Sequence, residues 1–298
     1  MDKMIYDVII IGSGPAGMSS AIYARRANLK TLLIEKSAPG GKLLQISKLK
    51  NYPGFIKDDG VMLATDMYEQ VTNLNPDFEY DEVVDIELSD EIKVVRTNKK
   101  EFYCKNIIVA TGTSYENLRV AKENRYIGKG ISYCAVCDGK FYEGKDIVVL
   151  ACNEHGFEET LYLNSFANKI YLITDDNFDN SKYKDDIQKE NIVVLKGVKI
   201  TELIGEQSLS GVKLNDGTSL NISGIFPLNN NLPVNTFLRK YDIFSSNGYV
   251  KVDQNMETRI KGLFAIGDVN NHDLKQVVTA CNDGAIAAQT ILKRKIAR

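Results

Sequence analysis

Cys134 and Cys137 stand two residues apart in SYCAVCDG, with Asp138 directly after the second sulfur. That spacing permits a small disulfide ring that opens and closes, and a neighbouring carboxyl can move the proton that thiolate chemistry requires. A structural zinc site needs about four ligands. No second CxxC supplies them, and the only histidines, His155 and His272, are far apart in the chain. A pair of inert buried thiols is the other alternative. A second constellation lies near the N-terminus, where Gly12, Gly14 and Gly17 spell GxGxxG and Glu35 ends the next apolar run. Glycines in that pattern allow a tight turn and a close approach of backbone N–H groups to a pyrophosphate at a helix N-terminus, while the acid can hold ribose hydroxyls.

The elements needed to position these residues can be read from the spacing of apolar positions. DVIIIGSGPAGMSSAIYARRANLKTLLIE runs strand, glycine turn, amphipathic helix and strand, the opening βαβ of a doubly wound sheet. A second copy begins at Lys145, where DIVVLACNEHGFEETLYLNSFANKIYLIT has the same order. The expected fold is therefore α/β, with two Rossmann-like three-layer domains. IIVATG (107–112) and GLFAIGDV (262–269) read as strands ending at glycine turns. Assigning both to the first domain makes it discontinuous: 1–114 with 238–298, split by a domain at 115–237. Residues 191–228 alternate β-branched and polar side chains with turn dipeptides such as Asp216-Gly217, the pattern of a small antiparallel sheet. A similar β patch occupies 78–106, and DGAIAAQTILKRKIAR reads as a terminal helix with a basic end.

A chain of 298 residues with 44% hydrophobic content can bury a substantial core and suits about two domains. Its formal net charge of −2 gives no basic field of the kind that drives nucleic-acid binding. The opening MDKMIYDVIIIGSGPAG lacks the longer apolar core and cleavage site of a secretory signal, and no stretch is long enough to cross a bilayer, so a cytoplasmic protein is expected. Five cysteines are too few and too scattered for a disulfide-stapled scaffold, and they fit one functional pair. The remaining three, Cys104, Cys152 and Cys281, read as buried small residues, and His155 as a surface residue.

Taken together, the chain resembles the low-molecular-weight thioredoxin reductase family of flavoproteins over almost its whole length. The matching marks are GSGPAG, GGKLL at 40–44, NYPG at 51–54, VATG at 109–112, CAVCDG at 134–139, AIGDV at 265–269 and the following KQVVTACNDGAIAA. The resemblance implies FAD in the first site and a homodimer. It implies FAD contacts from Gly12, Ser13, Gly14, Pro15, Ala16, Gly17 and Glu35, and from Gly41, Lys42 and Leu43. Asn51, Val84, Ala110, Thr111 and Gly112 are expected to join them, as are Gly267, Asp268, Lys275, Gln276 and Val277. It also implies that Cys137 faces the flavin, that Asp138 is the proton donor or acceptor, and that thioredoxin is the partner.

Two departures from the family bear on the electron donor. Where the family carries a glycine triplet followed by Asn or Asp for the NADPH pyrophosphate, this chain has Ala151, Cys152, Asn153 and Glu154. Where it carries His-Arg-Arg for the 2′-phosphate, this chain has Thr174, Asp175 and Asp176. Added Cβ atoms obstruct backbone approach, and carboxylates repel phosphates. A switch to NADH explains the acids but not the missing glycines, because NADH keeps the pyrophosphate. Flavins accept electrons singly or in pairs, so an iron–sulfur donor can replace a hydride donor. The expectation is a ferredoxin-dependent flavin thioredoxin reductase, a subset of the family that looks like this chain. Lys293, Arg294, Lys295 and Arg298, with Arg25 and Arg26, are candidates for a basic face that would meet an acidic ferredoxin. Rival readings are an NADH- or NADPH-dependent disulfide reductase with an atypical site, a reductase of another dithiol protein, and a flavin redox sensor without turnover.

Overall fold

The computed structural model describes residues 4–46, 48–57, 59–115, 118–175, 191–228 and 231–297. Its backbone divides into two units, Met1–Ser114 with Leu232–Arg298, and Tyr115–Asn231. The return crossing thus falls earlier than the 237/238 boundary expected from sequence. Val234 already belongs to the first unit: its N–H donates to the Gly112 carbonyl at 3.0 Å. The crossing strands β7 (Thr113–Tyr115) and β15 (Asn231–Pro233) pair with each other.

In the first unit, β1 (Ile5–Ile11), α1 (Pro15–Arg26) and β2 (Thr31–Glu35) form the expected βαβ. The sheet runs β3 (Asp77–Tyr80), β2, β1, β6 (Glu101–Val109), β5 (Lys93–Thr97), β4 (Val83–Glu87), and β16 (Leu263–Ala265) lies parallel to the end of β6. Alternation along the strands sends side chains to opposite faces. Val8, Ile10, Leu33, Ile108 and Phe264 pack under α1, α2 (Gly60–Asn73) and the terminal helix Val277–Ile296. Ile9, Ile11, Leu32, Ile107 and Leu263 face the other way, against Ile86, Val95, Leu238 and Val250. The terminal helix begins at Val277, before the Asp283 start read from sequence. The Gln276 and Thr279 side chains form a reciprocal capping box there.

The second unit repeats the plan. After the one-turn helices α3 (Glu123–Tyr126) and α4 (Ala135–Asp138), β8 (Asp146–Leu150), α5 (Glu154–Asn164) and β9 (Lys169–Thr174) make the second βαβ. Its parallel sheet has the order β10 (Ile192–Lys196), β9, β8, β14 (Gly224–Pro227). Only the middle of the 191–228 stretch is antiparallel: β11 (Ile200–Ile204), β12 (Gly211–Leu214) and β13 (Ser219–Asn221) form a separate three-stranded sheet. The single antiparallel sheet expected there is corrected. Its last strand, β14, is apolar on both faces and buried in the parallel sheet beside β8, as Ile225 and Phe226 are, while β10 joins the same sheet as an edge strand. With the short helices counted, the terminal helix is α6.

Among the described residues no helix is long and apolar enough to cross a membrane.

Candidate active site

The redox pair sits on a single helical turn. Cys134 is the N-cap of α4, and Cys134 and Cys137 are joined as a disulfide with Cα atoms 5.3 Å apart. The Cys137 N–H points at Cys134 Sγ at 3.2 Å, so a thiolate released at Cys134 has a backbone donor already aimed at it. Both cysteines are partly exposed, and Val136 between them is open to solvent, so an approaching partner can reach the bond. Ala135 and Gly139 anchor the turn: Ala135 is buried in the core, and a Cβ on Gly139 would come within 2.9 Å of Leu163 on α5.

Asp138 ends the turn. Burial raises its pKa above the ordinary carboxylate value, partly offset by the Ser132 hydroxyl, which donates to Asp138 Oδ2 at 2.6 Å. Ser132 Oγ also accepts the Cys134 N–H at 3.2 Å. Ser132 thus ties the acid to the first cysteine, a role that its position two residues before Cys134 does not announce in the sequence.

In the first unit the glycine turn is built for a ligand. Gly12 has φ +101°, a conformation that favours glycine, and a Cβ there would lie 2.6 Å from the Ala110 carbonyl oxygen. Gly14 caps α1 with no side chain on the free N–H groups, and a Cβ there would find only Gly41 Cα at 4.0 Å. Gly17 serves packing: its Cβ would fall 1.9 Å from the Gly12 carbonyl oxygen. Ser13, buried beside the turn, donates through both N–H and Oγ to Glu35 Oε2, at 2.8 and 2.9 Å. Pro15 opens α1 and Ala16 is buried beneath it.

Other expected residues gather around the carboxyl ends of the same parallel strands. Gly41, Lys42 and Leu43 lie on a short 3-10 turn, and Lys42 Nζ reaches Asp268 Oδ2 at 3.1 Å and Thr113 Oγ1. Ala110, Thr111 and Gly112 follow β6; the Thr111 hydroxyl donates to the Val234 carbonyl, and Gly112 has φ +65° with nothing within 4 Å of a Cβ. Gly267 and Asp268 form a turn after β16. Lys275 donates to the Asn270 carbonyl, and burial holds its pKa down. The Asn51 amide donates to Gln276 Oε1 at 2.9 Å, next to Val277 at the start of α6. Val84 stands apart: its side chain is exposed on the edge strand β4, and no hydrogen bond links it to this group.

The open cradle over Gly14 and Gly112, the uncapped α1 N-terminus and the Lys42 cation together fit a dinucleotide such as FAD.

The second unit has the same turn in a different chemical form. The Ala151 N–H donates to Ile173 as Gly12 does to Ile34, and Phe157 bonds Asn153 as Met18 bonds Gly14. Ala151, Asn153 and Gly156 therefore stand where Gly12, Gly14 and Gly17 stand. The reading that the glycines are absent is corrected, since the third is kept. A Cβ on Gly156 would meet the Leu228 carbonyl oxygen at 2.7 Å and the Ala151 methyl at 2.9 Å, so packing requires it. The other two positions have changed. Ala151 has no left-handed backbone, and Asn153 Oδ1 accepts the Gly156 N–H at 2.8 Å, taking a donor that a pyrophosphate would use. Thr174 occupies the place of Glu35 at the strand end, followed by exposed Asp175. Asp176, Arg298 and the His155 side chain lie outside the described residues.

Two smaller expectations change. Cys104 is buried, but Cys152 and Cys281 are only partly so. Of the basic candidates, Arg294 is paired with Glu257, Lys295 with Asp7 at 2.7 Å, and Arg25 donates to the Leu29 and Leu74 carbonyls. Arg26 and Lys293 are exposed.

A family model described as pyridine nucleotide-disulphide oxidoreductase matches residues 6–284. Thioredoxin reductase of Bacillus subtilis (strain 168) is 35% identical, covering 97% of this chain and 95% of its own. The crystal structure of thioredoxin reductase from Streptococcus pyogenes MGAS5005 matches with a TM-score of 0.94 at 35% identity over the full length of both chains. A ferredoxin-flavin thioredoxin reductase from Clostridium acetobutylicum matches with a TM-score of 0.55 at 27% identity, over 99% of each chain.

Proposed function

Since the chain belongs to the pyridine nucleotide-disulphide oxidoreductase family, we propose that it is a FAD-dependent thioredoxin reductase of the cytoplasm, supplied with electrons by reduced ferredoxin rather than by NADPH. The observation that carries the choice of donor is the turn between β8 and α5. Its backbone donor is taken by Asn153, its first glycine is Ala151, and an acid follows the strand where a cation would serve NADPH. The ferredoxin-flavin thioredoxin reductase of Clostridium acetobutylicum gives this reading a relative that spans the chain.

FAD, when bound, supplies two reducing equivalents that it can take up one at a time from two reduced ferredoxins. The residues that would hold it are Gly12, Gly14 and Gly17, Glu35, Lys42, Thr111 with Gly112, and Asp268. The net change at the cysteines is a two-electron, two-proton reduction: the Cys134–Cys137 bond breaks and two thiols form. Asp138, kept protonated to higher pH by burial, delivers a proton to the sulfur that leaves as thiolate. The Cys137 N–H steadies the Cys134 thiolate. One thiolate then attacks the thioredoxin disulfide through a mixed disulfide, and the second closes the ring again while thioredoxin departs with two thiols.

Asp175 favours one rival, since an acid at the strand end suits the free 2′-hydroxyl of NADH. The Asn153 cap opposes it. Anaerobic assays of the purified protein with thioredoxin, supplied in parallel with NADPH, NADH or chemically reduced ferredoxin, decide the matter. Turnover with ferredoxin alone is expected; rapid bleaching of the flavin by either nucleotide sinks the proposal.

A homodimer is part of the same reading. Tyr23 and Val278 are exposed at a cavity of about 580 Å³ lined by α1, α2, α6 and the 52–55 loop. A second copy of the chain would cover this apolar face. Light scattering should give twice the chain mass, and Y23E should halve it; a wild-type monomer would refute the dimer.

A further inference from the structure

The buried carboxylate of Asp283, on α6, has no part in the chemistry above. It is 4% exposed. Its Oδ2 accepts the Gly267 N–H at 3.1 Å and the Asn270 side-chain amide at 2.8 Å, so it grips the 267–270 turn at both ends. Its Oδ1 lies 3.7 Å from Nδ1 of the half-buried His272. Asn270, fully buried, completes the clasp: its N–H donates to the Gly267 carbonyl at 3.1 Å, its Oδ1 accepts the His272 N–H at 3.0 Å, and its carbonyl accepts Lys275 Nζ.

Burying an acid without a close cation is costly, and the cost is met only by strong hydrogen bonds to its oxygens. Here those bonds have one common target, the turn that carries Asp268. α6 can deliver the acid because it approaches α1 closely at Gly284, where a Cβ would meet the Ala16 carbonyl oxygen at 2.4 Å. The turn itself packs against α1 at Gly267, where a Cβ would come 2.8 Å from the Ala16 methyl. The turn is thus clamped between α1 and α6, and Asp268 projects from it towards Lys42.

We propose that Asp283 is a positioning residue for FAD, holding the Gly267–Asn270 turn so that Asp268 and Lys42 are presented as a pre-formed pair. The inference rests on the reading that Asp268 faces FAD, and it is independent of the electron donor. D283A leaves two buried N–H donors without an acceptor, so FAD affinity should fall by about tenfold or more. D283N keeps an acceptor oxygen while losing the charge, and should weaken FAD only about threefold.

The test is titration of apoprotein with FAD, followed by quenching of flavin fluorescence, for wild type, D268A, D283N, D283A and both double variants with D268A. If Asp283 works through Asp268, either Asp283 change should add little once Asp268 is gone. A merely structural role would make the losses multiply, which overturns the proposal. So does wild-type affinity in D283A while D268A is impaired. Wild-type affinity in D268A would instead show that the site reading itself is wrong, and the proposal falls with it. Should D283A fail to fold, the D283N and D268A/D283N pair reads the same coupling.

Discussion

Replacing Cys134 or Cys137 by Ser is expected to abolish thioredoxin reduction, to below about a thousandth of the wild-type rate, because the exchange needs both sulfurs of the ring. A single remaining thiol can attack thioredoxin once, but it cannot resolve the mixed disulfide. The two variants should differ in what they leave behind. The Cys137 N–H lies 3.2 Å from Cys134 Sγ, so C137S keeps a backbone donor on the surviving sulfur, whereas C134S removes that sulfur. C137S should therefore give the more reactive lone thiolate, measured by the rate of alkylation at fixed pH. Both proteins should stay yellow, because the cysteines and the glycine cradle belong to different units of the chain. Normal turnover in either variant would show that the pair is not the exchanging dithiol, and loss of flavin would show that it is part of the cofactor site.

D138N should lower turnover by about a hundredfold, the low end of what a positioned proton donor contributes. The amide keeps the shape and can still accept the Ser132 hydroxyl, so the loss should report the proton rather than the packing. The pH dependence follows from burial. The folded protein holds the Asp138 proton more tightly than the unfolded chain does. The linked stabilisation is fully present below the unfolded pKa and is lost as pH rises through the higher folded pKa. Urea midpoints across that window should fall for the wild type and less so for D138N. Wild-type turnover should decline over the same range as the acid ionises, whereas D138N should be flat and low. Equal pH profiles for the two proteins would remove Asp138 from the mechanism.

Much of this architecture was legible because it rests on short-range rules. The strand–turn–helix order around Gly12 and around Ala151 follows from apolar periodicity, and CAVCDG carries its spacing in plain view. What the sequence concealed depends on contacts between distant segments. Gly156 carries no signal of its own in the sequence; the hydrogen bonds give it the place in its turn that Gly17 holds in the first unit, and the Leu228 carbonyl lies where its side chain would be. Residues 191–228 looked like one antiparallel sheet because alternation is the same for a half-buried edge and for a strand whose partner lies far off in the chain, as Ile147 does from Gly224. Asp283 reads as one acid in a polar stretch of helix; only the approach of α6 to the turn after β16 reveals its partners. The basic helix end likewise looked available for docking until Glu257 and Asp7, far off in sequence, were seen to occupy two of its cations.

The Asn153 cap has a consequence for any attempt to force a nucleotide into the second unit. A side chain attached to the turn is a tethered competitor: its local concentration does not fall on dilution, and adding more nucleotide is the only way to oppose it. Yet one cap is worth only about 1 kcal/mol, which a modest excess of ligand overcomes. Exclusion on the scale of a lost cofactor must therefore be shared among the cap, the methyl of Ala151 and the charge of Asp175. No one of the three is a lock, and a chain that regained a glycine at only one of these positions would remain closed.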